Sequence, residues 1–101
     1  MRGITITYKY SGPEDVWRET MEAFIAAIDA DSEVAGKFNY QVSVADDGET
    51  RIHWGRWDSQ ETLKTLQSRD YFSAFAGKVR ELAGGAPANT GADIQFKTEG
   101  W

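Results

Sequence analysis

"KFNYQVSVADDGETRIHWGRW", residues 37–57, decides the fold of this chain. Phe38, Tyr40, Val42 and Val44 fall on one side of its first part, and Asn39, Gln41 and Ser43 on the other. Period-two alternation rich in β-branched and aromatic residues reads as a strand over 37–45. Within "DDGE", Asp47-Gly48 is the usual hairpin signal, because such turns need the left-handed backbone that glycine adopts freely. "TRIHWGRW", residues 50–57, is then the return strand.

Upstream, "ITITYKY" at 4–10 alternates in the same way, with Ile4, Ile6, Tyr8 and Tyr10 on one side and Thr5, Thr7 and Lys9 on the other. In "SGPE", Ser11 and Glu14 have capping-box spacing, and Pro13 suits a first helical turn. Trp17, Met21, Phe24, Ile25 and Ile28 recur at helical spacing, which predicts an amphipathic helix over 13–30. Downstream, Asp58 or Ser59 caps a second helical region, with Glu61 reaching back. "SQETLKTLQ" carries Leu63 and Leu66; "SRDYFSAFAGKVRELAGG" carries Phe72, Phe75, Val79 and Leu82. Ser68 re-caps the second part, so a break is predicted at 68–70. Gly84-Gly85 and Pro87 end it. "APANTGA" reads as a loop and "ADIQFKT", 92–98, as the last strand, with Ile94 and Phe96 on one face.

The order β-α-β-β-α-β folds most simply as an α+β, ferredoxin-like split βαβ, an antiparallel sheet with its helices on one face. Ile4, Ile6, Tyr8, Phe38, Tyr40, Val42, Val44, Ile52, Trp54, Ile94 and Phe96 are expected on the helix-covered face. Thr5, Thr7, Asn39, Gln41, Ser43 and His53 are expected on the other, with Arg51 at its rim. A bulge at Gly55 would exchange the faces of Arg56 and Trp57. The second face is polar but carries little charge, which suits a homodimer formed through the sheet face. Trp101, at the terminus, is expected either to be disordered or to dock on that partner.

The 101 residues suffice for one domain, 1–101, with a thin core. A net charge of −5 disfavours phosphate backbones, so no nucleic-acid partner is expected. No apolar run approaches the roughly 20 residues of a membrane span, so no membrane partner is expected either. "MRGITITYKY" lacks the pattern of a secretory signal, which makes the cytoplasm the expected compartment. One histidine and no cysteine argue against a transition-metal site. No GxSxG motif accompanies His53, and no glycine-rich phosphate loop is present.

Gly36 before the aromatic strand with Tyr40, Trp57-Asp58-Ser59 followed by Glu61, and Ser68 through Phe72 and Phe75 together resemble the antibiotic biosynthesis monooxygenase superfamily. The resemblance runs in element order over residues 4–98. It implies a ferredoxin-like protomer that pairs into a dimeric α+β barrel. It further implies binding of a small aromatic ligand and a cofactor-independent monooxygenase acting on polyketide- or quinol-like substrates. The alternative is a non-catalytic ligand-binding or structural dimerisation module of the same fold. "TLKTLQSRDYFSAFAGK" contains no histidine, so the haem-degrading branch lacks its axial ligand there, and "ITITYKY" lacks the asparagine of several enzymatic members. Both departures favour the non-catalytic alternative.

Two residues are candidates for catalysis. His53 reads as a general base, since its ordinary pKa lies near neutrality, or as a hydrogen-bonded histidine at a dimer interface. Trp57 reads as a pocket wall whose indole N–H orients a ligand oxygen, or as plain core. Tyr8, Tyr40 and Tyr71 read as candidate pocket hydroxyls, or as ordinary amphipathic packing near the sheet end. Arg56 and Arg51 could stabilise a developing enolate, or pair at the surface with Asp46, Asp47 or Glu49. Arg69 is expected to pair with Asp70. No cofactor is expected.

Overall fold

A computed structural model describes residues 1–100; Trp101 lies outside the described residues. The order is β1 (Arg2–Lys9), α1 (Glu14–Ala30), β2 (Phe38–Val44), β3 (Thr50–Trp57), α2 (Gln60–Gln67), α3 (Asp70–Ala83) and β4 (Ala88–Asp93). The four strands form one antiparallel sheet in the order β2-β3-β1-β4. This is the expected ferredoxin-like α+β fold. The core joins one sheet face to the helices through Tyr8, Phe38 and Trp57 below and Trp17, Met21, Phe24, Ile28, Leu66, Phe75 and Val79 above. Among the described residues no helix is long and apolar enough to cross a membrane.

Strand β3 is oriented opposite to expectation. Arg51, His53, Gly55 and Trp57 are buried toward the helices, while Ile52, Trp54 and Arg56 are half-buried on the other face. The hairpin register is the cause. Phe38 opposes Trp57, Tyr40 opposes Gly55, Val42 opposes His53 and Val44 opposes Arg51. Directly opposed residues share a face. The register continues without interruption through Gly55, so there is no bulge. Gly55 serves close approach instead: a Cβ there would sit 3.1 Å from the Tyr40 ring and 3.3 Å from the Ile4 side chain.

The last strand also differs. Residues 88–93 pair with β1, from Thr7 opposite Ala88 to Arg2 opposite Asp93, and Ile94 N–H donates to Met1 O at 2.9 Å. Beyond Ile94 the chain has passed the start of β1, so the alternation in "ADIQFKT" has no strand to pair with. Phe96 is 95% exposed.

The helix ends follow local chemistry with two exceptions. Ser59 caps α2, accepting from Thr62 N–H at 3.3 Å, and the break at 68–70 separates α2 from α3. Gly84 ends α3 with φ 73°, the left-handed cap that glycine favours. The capping box at Ser11 does not form: α1 begins after Pro13 without a side-chain cap, and Glu14 binds Arg51 instead. The cap of α3 is Arg69, not Ser68, and it makes no side-chain cap bond.

Candidate functional site

Between the sheet and the α2–α3 side of the helical layer lies a cavity of about 400 Å³. Ile4, Ile6, Phe38, Tyr40 and Trp57 form its floor; Phe24, Leu63, Phe72, Phe75, Ala76 and Val79 form its walls. Gln67, Arg80 and Asn89 supply the remaining polar groups, and no carboxylate among the described residues lines it. An apolar pocket of this size with a few polar groups is the usual form of a small-molecule site.

Trp57 is 7% exposed, and its Nε1 is buried without a hydrogen-bond partner among the described residues. A buried unpartnered donor costs stability, and Trp57 is one of the residues that line the cavity. Phe38 stacks on the Trp57 indole at 5.9 Å with an interplanar angle of 11°, which holds the ring against the floor.

Beside the cavity runs a buried polar chain. Trp17 Nε1 donates to Tyr8 Oη at 2.9 Å. Tyr8 Oη lies 2.9 Å from His53 Nε2, and Tyr40 Oη lies 2.7 Å from His53 Nδ1. His53 is 0% exposed, and burial pushes its pKa down to about 4, so the ring is neutral at physiological pH. Burial also raises the pKa of Tyr8 and Tyr40, so both phenols keep their protons.

The remaining sites expected from sequence separate. His53 belongs to the core rather than to the uncovered sheet face, and both ring nitrogens are engaged. Tyr8 sits behind His53 and does not line the cavity. Arg56 lies on the uncovered face, with Nη1 3.5 Å from Met1 Sδ. Tyr71 donates to Asp31 Oδ2 at 2.7 Å, and burial, then Asp31, push its pKa up to about 12. Arg69 pairs with Asp31 at 2.9 Å and Glu33 at 3.3 Å, rather than with Asp70. Arg51 is 1% exposed and no surface ion-pair partner of the turn. Its guanidinium carbon lies 4.3 Å from the Trp17 ring centre and 5.4 Å from that of Tyr10, and it binds both oxygens of Glu14 at 2.7 and 2.9 Å. Only Trp57 and Tyr40 of the expected site residues reach the cavity.

Arg80, Gln67 and Asn89 were not singled out from the sequence. For Arg80 a signal existed: it follows Phe72, Ala76 and Val79 at helical spacing on the cavity side of α3.

No family model and no curated protein matches this sequence. Solved structures do match in fold. Rv0793 from Mycobacterium tuberculosis superposes with a TM-score of 0.72 at 16% identity, covering 98% of this chain and 100% of its own. A protein assigned to the antibiotic biosynthesis monooxygenases from Caulobacter crescentus gives 0.70 at 20% identity, covering 94% and 90%. SnoaB, a cofactor-independent oxygenase from Streptomyces nogalater, gives 0.68 at 14% identity, covering 97% and 96%. The chain therefore has the fold of the antibiotic biosynthesis monooxygenase superfamily.

Proposed function

We propose that this protein binds a planar aromatic molecule bearing oxygen in the cavity beside Trp57, and acts on it as a cofactor-independent oxygenase. The observation that carries the reading is the buried Trp57 indole N–H, which lacks an acceptor among the described residues and belongs to a residue of the cavity floor. The fold shared with SnoaB supports the reaction class. In such a reaction the bound phenolate or enolate itself reduces dioxygen; one oxygen atom becomes a product carbonyl and the other leaves as water. The protein contributes orientation, exclusion of water and hydrogen-bond donors for the oxyanion. Arg80, which lines the cavity, adds positive charge with no carboxylate beside it among the described residues of the lining.

Trp57→Phe keeps an aromatic ring and removes the donor. It should weaken binding of a hydroxylated naphthoquinone about ten-fold by calorimetry, in line with loss of one buried hydrogen bond. Oxygen uptake with a panel of hydroquinones and anthrone-like phenols tests the chemistry. Uptake by no member of the panel, with binding retained, would leave a carrier. That second reading has its own support, because among the described residues no carboxylate or imidazole lines the cavity to take a substrate proton.

The assembly belongs to the same proposal. Trp54 and Ile52 stand half-buried on the sheet face away from the helices, and Trp54 lies near Ile94 and the exposed Phe96. A second copy of the chain would cover this face. Trp54→Lys should convert a homodimer to a monomer in sedimentation experiments. A wild-type protein that sediments as a monomer at high concentration would refute the pairing.

A further inference from the structure

The chain Trp17–Tyr8–His53–Tyr40 has a direction, and the direction follows from what each group can do. An indole N–H can only donate, so Tyr8 Oη accepts from Trp17. Tyr8 has one proton, and its remaining neighbour in the chain is His53 Nε2 at 2.9 Å. If Tyr8 donates there, Nε2 carries the lone pair and the ring proton sits on Nδ1. Nδ1–H then donates to Tyr40 Oη at 2.7 Å. Every group in the buried part is satisfied, and the Tyr40 proton alone is left over. The opposite direction has Tyr40 donating to Nδ1 and Nε2–H donating to Tyr8. It makes Tyr8 Oη accept twice and strands the Tyr8 proton, whose residue does not line the cavity. A protonated imidazolium strands it too, and burial keeps the ring neutral. An unpaired proton is tolerated where space adjoins it, and Tyr40, unlike Tyr8, lines the cavity as part of its floor.

We infer that Tyr8 and His53 are positioning residues that fix the Tyr40 hydroxyl as a hydrogen-bond donor toward the cavity. With Trp57 Nε1–H this gives the site two donors, so it selects an aromatic ligand presenting carbonyl or enolate oxygens over the corresponding neutral phenol. The inference rests on the proposed function for its ligand and on the hydrogen-bond geometry alone for its direction. It also fits the cavity lining, which among the described residues offers an arginine and no carboxylate. A ligand that arrives as a phenol would be held more tightly once it had lost its proton or become a quinone.

The chain contains one histidine, so a long-range proton–nitrogen NMR spectrum of uniformly labelled protein reads its tautomer without assignment. The Nδ1–H tautomer is expected in wild type; the Nε2–H tautomer overturns the direction. Binding is then compared for 1,4-naphthoquinone and, without oxygen, 1,4-naphthalenediol. Wild type should prefer the quinone about ten-fold. Tyr40→Phe should lose most of that preference. Tyr8→Phe does not line the cavity, yet it should lose about as much, because Tyr40 is then free to turn its proton into Nδ1. The double variant should be no worse than either single one, as expected for two residues acting in one chain. An unchanged preference in Tyr8→Phe beside a lost one in Tyr40→Phe overturns the positioning role. If wild type binds neither probe while showing the Nδ1–H tautomer, the ligand assignment and the proposed function fail together, and only the polarity of a structural network survives. Native thermal unfolding of both variants guards against misfolding as the cause.

Discussion

Arg51→Ala is expected to destabilise the protein by about 3 kcal/mol and to lower its Tm on the order of 15 °C for a domain of this size. The charge is not the main reason. Glu14, the partner carboxylate, is half-exposed and is rehydrated when the arginine goes. What is lost is packing: a side chain 1% exposed that lies against the Trp17 ring and beside Tyr10. Its removal opens a hole beneath α1 and forfeits the cation–π contact. The guanidinium also donates to Glu49 O at 3.2 Å, and more weakly to Tyr10 O and Gly48 O at 3.4 Å, so it ties the hairpin turn to the start of the helix. Arg51→Met keeps much of the volume and should recover at least half of the loss. Thermal scans of the two variants separate the contributions. Equal losses would place the stabilisation in the ion pair rather than in the ring contacts.

Acidification is expected to weaken the fold well above the range in which its carboxylates titrate. Folded His53 stays neutral down to about pH 4, whereas the same residue in the unfolded chain takes up a proton near pH 6.5. Below pH 6.5 the unfolded state therefore binds more protons. Stability falls with decreasing pH by up to about 1.4 kcal/mol per unit, about 3 kcal/mol in all by pH 4. Glu14, Asp31, Asp47 and Asp58 contribute at lower pH, because their bonds hold each carboxyl below its usual range; Asp47, bound by Thr50 and Glu49, is held down to about 2. Their stabilisation is lost only as pH falls through the unfolded carboxylate range and below. Between pH 6.5 and 5 the slope thus belongs to His53. Urea denaturation at half-unit steps should show it, and His53→Gln should flatten it. A wild-type curve already flat over that interval would mean that the folded ring titrates normally and is not sealed from water.

Much of the fold was legible because its cues are local. Alternation set β1, β2 and β3 to within a residue or two, and Trp17, Met21, Phe24 and Ile28 set α1. The last strand was missed for a reason of the opposite kind. "ANTGAD" has no apolar alternation because all six residues are exposed; it is a strand only because the unpaired edge of β1 lies beside it. "ADIQFKT" has the alternation and no partner.

The candidate site was legible in part, and β3 shows where legibility stopped. Apolar character assigned Ile52 and Trp54 to the core and sent Arg51 and His53 outward. The turn carried the contrary message. The tight turn, in which Gly48 N–H donates to Ala45 O at 2.9 Å, sets Ala45 opposite Thr50, hence Val42 opposite His53 and Val44 opposite Arg51. The register outweighs residue character here because a buried arginine can be satisfied by a carboxylate and two rings, and a buried histidine by two phenols.

By itself the sequence determined the element order, the sheet class, the hairpin and the place of Trp57 before the cap at Ser59. Those properties arise from contacts between near neighbours and from hydrophobic period. Only the tertiary structure decided which partners His53, Arg51 and Tyr71 would find, since Tyr8, Glu14 and Asp31 lie 45, 37 and 40 residues from them along the chain. Period two tells which residues of one strand share a side. What covers that side is settled by the chain that folds back over it. His53 and Trp57 prove to share one side of β3, two strand positions either side of Gly55, but only Trp57 meets the cavity, because the Tyr40 ring lies over the glycine between them.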